Sequence, residues 1–167
     1  MSPSSPILHI MCGKIASGKS TLSAKLGNLQ GMVSIAEDDW LSSLYSSEMS
    51  SISDYARCSA RLQTIMGPHI VSLLKAKVSI VLDFPANTIA NRTWMREIIQ
   101  ASNVAHELHY LEVPDEICKA RLHKRNAAGN HAFAVSDEQF LQISKHFVAP
   151  LPEEGFDIVR HRFDGAQ

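Results

Sequence analysis

Ile7-Leu8-His9-Ile10-Met11-Cys12-Gly13-Lys14-Ile15-Ala16-Ser17-Gly18-Lys19-Ser20-Thr21 is the stretch that decides the fold. The mostly apolar run Ile7–Cys12 reads as a buried strand, and Lys19–Leu26, with Leu22 and Leu26 four apart, reads as a helix. Between them, Gly13 to Ser20 fits G-x-x-x-x-G-K-[ST] at every position, in the strand-to-helix context that the pattern requires. Glycine at both ends admits backbone shapes that a β-carbon obstructs. Successive N–H groups can therefore converge on phosphate at the positive end of a helix. Lys19 is then placed to reach the outer phosphates, and the Ser20 hydroxyl to hold Mg²⁺. The expected nucleotide-lining set is Gly13, Lys14, Ile15, Ala16, Ser17, Gly18, Lys19, Ser20 and Thr21, with Thr21 also serving as helix scaffold.

Working outward, apolar runs alternate with helix-period segments, the mark of an α/β protein built on a parallel sheet. The strands are expected at Ile7–Cys12, Val33–Ala36, Ser79–Phe84, His106–Val113 and Phe156–Arg162. Helices are expected over Lys19–Leu26, Ser53–Lys75, Thr88–Ala101 and Asp115–Asn126, with a capping box at Ser136-Asp137-Glu138-Gln139 opening another. In the long one, Leu62, Ile65, Met66, His69, Ile70 and Leu73 are expected on one face, and Gly67-Pro68 is expected to kink or split it. In the next, Arg92 and Arg96 are expected on a different face from Met95, Ile98 and Ile99. Phe140, Ile143 and Phe147 are expected to pack inward. One domain over residues 7–163, a disordered start over 1–6 and a flexible tail over 164–167 complete the expected organisation.

Sixteen basic and seventeen acidic side chains leave a net charge of −1, which removes the bulk attraction that long nucleic acid or an anionic membrane exploits. The start carries no signal peptide or membrane span, so a cytoplasmic protein is expected. Cys12, Cys58 and Cys118 are far apart and without CxxC spacing, and read as buried apolar residues. Of the eight histidines, His69 and His109 read as inward-facing, His131 and His146 lie near the proposed lid, and none shows metal-ligand spacing. No feature of the chain fixes an oligomeric state.

Ligands of parallel α/β sheets bind beyond the strands' carboxyl ends, and two such positions hold aspartates. Asp83, closing an apolar run, is the expected partner of Ser20 in holding Mg²⁺. Phe84 follows it where hydrolytic machines commonly place a glutamate, which favours transfer to an acceptor, and N-K-x-D is absent, which disfavours a regulatory GTPase. In Glu37-Asp38-Asp39-Trp40, Asp38 is the first choice to orient an acceptor hydroxyl and take its proton, with Asp39 second; the alternative is that the pair caps a helix beginning at Trp40–Leu44. Arg121 and Arg125, on one helix face before Asn126-Ala127-Ala128-Gly129-Asn130-His131, are expected to form a lid around 121–135 that neutralises the transferring group. Trp40, Arg57, Arg61, Asn87 and Arg92 are further candidates for the acceptor side.

Gly13–Thr21, Asp38-Asp39-Trp40, Leu82-Asp83-Phe84-Pro85-Ala86-Asn87-Thr88, Arg121-x-x-x-Arg125-Asn126, His146-Phe147 and Glu154-Gly155-Phe156 together resemble a group of small bacterial P-loop proteins described as AAA-family ATP-binding proteins or predicted kinases. The likeness runs over nearly the whole chain. That group is similar to the kinase domain of polynucleotide 5′-hydroxyl kinase, to zeta toxins, to chloramphenicol phosphotransferase and to gluconate kinase. The resemblance implies a nucleoside-kinase-like P-loop NTPase fold: three α/β/α layers, a five-stranded parallel sheet in the order 2-3-1-4-5, and a helical lid. It also implies ATP and Mg²⁺ as cofactors, Asp38 as general base, and Arg121 or Arg125 as the arginine on the transferring phosphoryl group. Leu41 departs from the polynucleotide kinase pattern, which has an arginine there, so a small hydroxylated acceptor is expected rather than an oligonucleotide. The alternatives are a nucleotide-dependent switch with slow hydrolysis, or a polynucleotide 5′-hydroxyl kinase.

Overall fold

The computed structural model describes residues 5–129 and 134–165. Five strands form one parallel sheet: β1 Ile7–Cys12, β2 Met32–Ala36, β3 Ser79–Pro85, β4 Ala105–Glu112 and β5 Ile158–Arg162. Their spatial order is β2-β3-β1-β4-β5, which is the expected 2-3-1-4-5. The helices are α1 Lys19–Gly27, α2 Glu37–Tyr45, α3 Ile52–Lys75, α4 Ile89–Ser102, α5 Asp115–Ala128 and α6 Asp137–Ser144, with short 3₁₀ turns at Ser46–Glu48 and Pro152–Glu154. Each expected strand is present, with ends shifted by no more than two residues, the scatter usual for element boundaries.

Side chains alternate across the sheet, and one face carries the main core. Leu8, Ile10, Ile35, Ile80, Leu82, Phe84 and Leu108 are buried there against Leu41 of α2, the α3 stripe and Met95, Ile98 and Ile99 of α4. The opposite face carries Val81 and Asp83 of β3, and α1 lies against it: a β-carbon on Gly27 would come within 3.2 Å of Ser34 Cβ on β2, so this helix packs backbone to strand. Cys118, Leu122 and Phe140 join α5 to α6 in a second cluster that touches Ile15 and Ala16. All three cysteines are free and buried, as expected. No helix among the described residues is long and apolar enough to cross a membrane.

Several expectations are corrected by packing. Helix α3 is not split at Pro68: it continues to Lys75, because the buried stripe Cys58, Leu62, Met66, Ile70 and Leu74 runs on both sides of the proline and offsets a break costing about 3 kcal/mol. Gly67 is the close-approach point, where a β-carbon would sit 3.1 Å from Trp94 Nε1 on α4. The stripe is narrower than the periodicity implies, leaving Ile65 70% exposed and His69 exposed rather than inward-facing. Ile143 is 37% exposed, so in α6 only Phe140 is fully inward, with Phe147 half-buried beyond it. Helix α5 runs past Asn126 to Ala128 and stops at Gly129, whose φ of +66° suits glycine. Asn126 on its last turn donates from Nδ2 to the Val135 carbonyl at 2.7 Å. The rest of the expected lid loop, including Asn130 and His131, lies outside the described residues.

Arg92 is the largest correction. It lies three residues before Met95 and seven before Ile99, on the apolar side of α4, and has no exposed surface. Its guanidinium donates to the carbonyls of Ala86 at 2.9 Å, Val148 at 2.7 Å and Ala149 at 3.4 Å, and to Glu154 Oε1 at 2.8 Å. A buried charge needs such a set of partners. Arg92 is therefore a strut between β3, α4 and the chain before β5, with no surface left for an acceptor. Arg96 donates to the Gly155 carbonyl and lies over the Phe156 ring.

Candidate phosphoryl-transfer site

The loop Gly13–Gly18 turns sharply from β1 into α1. Ser17 N–H donates back to the Lys14 carbonyl at 3.1 Å, and the turn places Ala16 at φ +61° and Gly18 at φ +103°. Gly13 is required by space: a β-carbon there would fall 2.4 Å from Ser17 Oγ. Gly18 occupies the N-cap of α1 and offers no side chain to its first-turn amides, so those N–H groups remain available as donors. Ser17 Oγ is buried without a hydrogen-bond partner among the described residues, an orphaned polar atom inside the cradle. Gly13 N–H donates to Asn87 Oδ1 at 2.9 Å, and Ala86 N–H to the Met11 carbonyl at 3.1 Å, so the segment after β3 braces the loop. Asn87 Oδ1 is thus a support for the loop.

Lys19 Nζ donates to the Lys14 carbonyl at 2.9 Å and also to the Gly13 carbonyl. Burial lowers its pKa, opposed by the carboxylates of Asp83 and Asp38. Asp83 lies on the α1 side of β3. Burial raises its pKa most, Lys19 and a hydrogen bond with Ser23 lower it, and Asp38 and Asp39 raise it. One ammonium and three carboxylates from the ends of β2 and β3 therefore share one field at the sheet's carboxyl edge.

Helix α2 begins at Glu37, earlier than expected, with Ala36 at the N-cap and no side-chain cap. Asp38 and Asp39 are not spent on capping. They are exposed in the first turn, where the helix dipole favours negative charge. Trp40 beside them is 43% exposed, while Leu41 is 2% exposed in the core. Glu37 is the residue that sequence reasoning passed over. It is 2% exposed and accepts hydrogen bonds from the Tyr55 hydroxyl and Ser59 Oγ of α3, while burial pushes its carboxyl pKa up. This fixes the start of α2, and with it Asp38, against α3.

Of the two arginines expected in a lid, Arg121 reaches the loop: its Nη1 lies 3.3 Å from the Ser17 carbonyl and its guanidinium lies over the Phe163 ring. Arg125 is half-buried one turn further on, its Nε without a partner among the described residues. Asp115 does not pair with them but accepts from Lys14 Nζ at 2.7 Å, tying the loop to α5. Arg57 pairs with Asp54 at 3.2 Å, and Arg61 is exposed.

The AAA domain model matches residues 8–150, most of the chain. The chain belongs to the AAA domain family. No curated protein matches it. Among solved structures, this AAA domain is similar to a provisionally assigned kinase of Chloroflexus aurantiacus J-10-fl, at 18% identity and TM-score 0.73 over 95% of this chain and 85% of that one. It is also similar to the Mycobacterium tuberculosis APS kinase in complex with AMPPNP and APS, at 17% identity and TM-score 0.62 over 97% and 91%. A gluconokinase from Sinorhizobium meliloti 1021 matches at 13% identity and TM-score 0.59 over 96% and 84%. With its sheet order, these likenesses establish the P-loop NTPase fold for this AAA domain.

Proposed function

We propose that this AAA domain is an ATP-dependent phosphotransferase that moves the γ-phosphoryl group of ATP to a hydroxyl of a small acceptor such as a sugar, metabolite or antibiotic. The observation that carries the reading is the sheet register that pairs Ala36, two residues before Asp38, with Asp83, so that both carboxylates stand at the carboxyl edge of the sheet with Lys19, beside a loop shaped by Gly13 and Gly18. The donor set fits the ligands: open amides and a buried unpaired hydroxyl for phosphate, and the hard oxygens of Ser20 and Asp83 for Mg²⁺. Bound there, Mg²⁺ supplies charge neutralisation on the phosphate oxygens.

In this reading the loop amides and Lys19 bind the polyphosphate and hold its terminal group in place. Asp38 accepts a hydrogen bond from the acceptor hydroxyl and takes its proton as the oxygen–phosphorus bond forms and the bridge to the β-phosphate breaks, releasing ADP. Arg121 counters the charge that builds on the equatorial oxygens. Glu37, clamped by Tyr55 and Ser59, positions Asp38. Two of the structural neighbours, a gluconokinase and an APS kinase, are named for small acceptors, which supports that class here. Phe84, 1% exposed and stacked on Trp94, puts a core ring where water-activating enzymes place a carboxylate, which favours transfer over hydrolysis. Leu41 in the core leaves no arginine after Trp40 for a nucleic-acid phosphate.

The test is incubation with Mg·ATP and a panel of sugars, metabolites and antibiotics, read by mass spectrometry for the gain of one phosphoryl group, with labelled transfer to 5′-hydroxyl oligonucleotides alongside. Asp38→Asn should bind nucleotide like the wild type and transfer about a hundredfold more slowly or worse. Wild-type rates in that variant remove Asp38 from the mechanism, and phosphate release with no acceptor modified anywhere contradicts the kinase reading.

A further inference from the structure

His9 on β1 is the register partner of Glu107 on β4, and His109 lies two residues further along β4 on the same sheet face. Ninety-eight residues of sequence separate the pair, which is why spacing alone shows no ligand pattern. In the fold, His9 Nδ1 and His109 Nε2 lie 3.0 Å apart, and Glu107 Oε2 lies 3.3 Å from the first and 3.4 Å from the second. We propose that His9, Glu107 and His109 form a divalent transition-metal site of the zinc class, with solvent completing a fourth position.

The triangle of donors has the size such an ion requires. Bonds of 2.0–2.1 Å in a tetrahedron separate ligand atoms by about 3.3 Å. Hydrogen bonding satisfies the same three atoms less well, since one proton on His9 Nδ1 cannot point at both His109 Nε2 and Glu107 Oε2, whereas one ion engages all three lone pairs. Two imidazoles and one carboxylate suit zinc, and differ from the all-oxygen pair Ser20 and Asp83. The site also has an outer support: His109 Nδ1 lies 2.9 Å from His161 Nε2 on β5, so metal on His109 Nε2 leaves Nδ1–H to donate to His161 and lock the ring. His9 and His109 are 6% and 5% exposed, while the Glu107 side chain is 39% exposed and gives the ion an entry path. The position on β1 is four residues before Gly13, roughly 13 Å along the strand, so nucleotide is not needed to complete it. The ion joins β1 to β4, and through His161 reaches β5.

The experiment uses chelator-stripped full-length protein in excess Mg²⁺ without nucleotide, titrated with Zn²⁺ by calorimetry and followed by thermal melting. One Zn²⁺ per chain and a raised melting temperature are expected, because an ion held only by the folded state stabilises it. Glu107→Gln, at a partly exposed position, should keep the metal-free melting temperature and lose at least about tenfold in Zn²⁺ affinity, and His161→Gln about ten- to a hundredfold. His123→Asn, at the exposed His123–Asp137 pair, should change nothing. A zinc absorption-edge spectrum of the wild type should report imidazole and carboxylate ligands, a reading that needs no variant to fold. No stoichiometric uptake, uptake indifferent to Glu107→Gln, loss of uptake in His123→Asn, or a sulfur-containing ligand set would overturn the site.

Discussion

Gly13 is where the shape of the phosphate loop is decided, because a single added methyl would meet Ser17 Oγ at 2.4 Å. Turning Ser17 Oγ aside relieves only that contact, since Leu111 Cβ and the Leu111 carbonyl oxygen stand 3.3 Å from the same position. Gly13→Ala should weaken Mg·ATP binding by more than about tenfold, a loss of about 1.4 kcal/mol, while leaving the sheet intact. Calorimetry beside a thermal melt checks this, and wild-type affinity in the variant would contradict the cradle. Much of this was readable in the motif, since the pattern names the two glycines, the lysine and the serine. The role of Glu37 was not, because its partners Tyr55 and Ser59 come from a helix 18 and 22 residues away, and only the folded packing of α2 on α3 turns an acidic run into one buried clamp and two open carboxylates.

At the level of elements, the strut from α4 to the chain before β5 sets the bracing of the whole loop region. Burial pushes the Glu154 carboxyl up, but hydrogen bonds from Arg92 and Leu151 and the Arg92 charge outweigh it, and the net pKa falls below its ordinary 4.5. A carboxylate depressed in the fold stabilises it above the unfolded pKa, and that contribution is lost as pH falls through the folded value. Glu154→Gln should therefore cost about 2–3 kcal/mol at pH 7, somewhat below the usual penalty for orphaning a buried partner because Arg92 keeps its carbonyls. It should also flatten the acid dependence below pH 4.5, both read by chemical denaturation. The sequence reading set Arg92 with Arg96 on a face away from Met95 and Ile99, and the fold overturns this because the charge finds buried partners; its carboxylate partner, 62 residues on, left no sequence trace. On α5 the two arginines are distinguished by reach. Arg121→Ala should lower turnover by about a hundredfold or more and exceed the effect of Arg125→Ala, in steady-state kinetics with the acceptor found by the panel.

Across the whole molecule, strand order does the assembling. With β1 at the centre of β2-β3-β1-β4-β5, the loop after β1 has β3 on one side and β4 on the other, so Asp83 and Leu111 both reach it. β1 and β3 were legible as short apolar runs between turn residues, β4 and β5 were read despite interruptions such as His106, Glu107, Arg160 and His161, and the strand order was legible only through family resemblance. Cross-strand neighbours such as His9 and Glu107 depend on register, which no local pattern records. Every role assigned at the site depends on polyphosphate entering the turn between β1 and α1. Calorimetric titration of the full chain with Mg·ATP, repeated on Lys19→Ala, addresses this directly. One nucleotide bound per wild-type chain, with binding lost or weakened by at least about tenfold in the variant, is the predicted result. No heat from the folded wild type, or equal binding by both proteins, would contradict it.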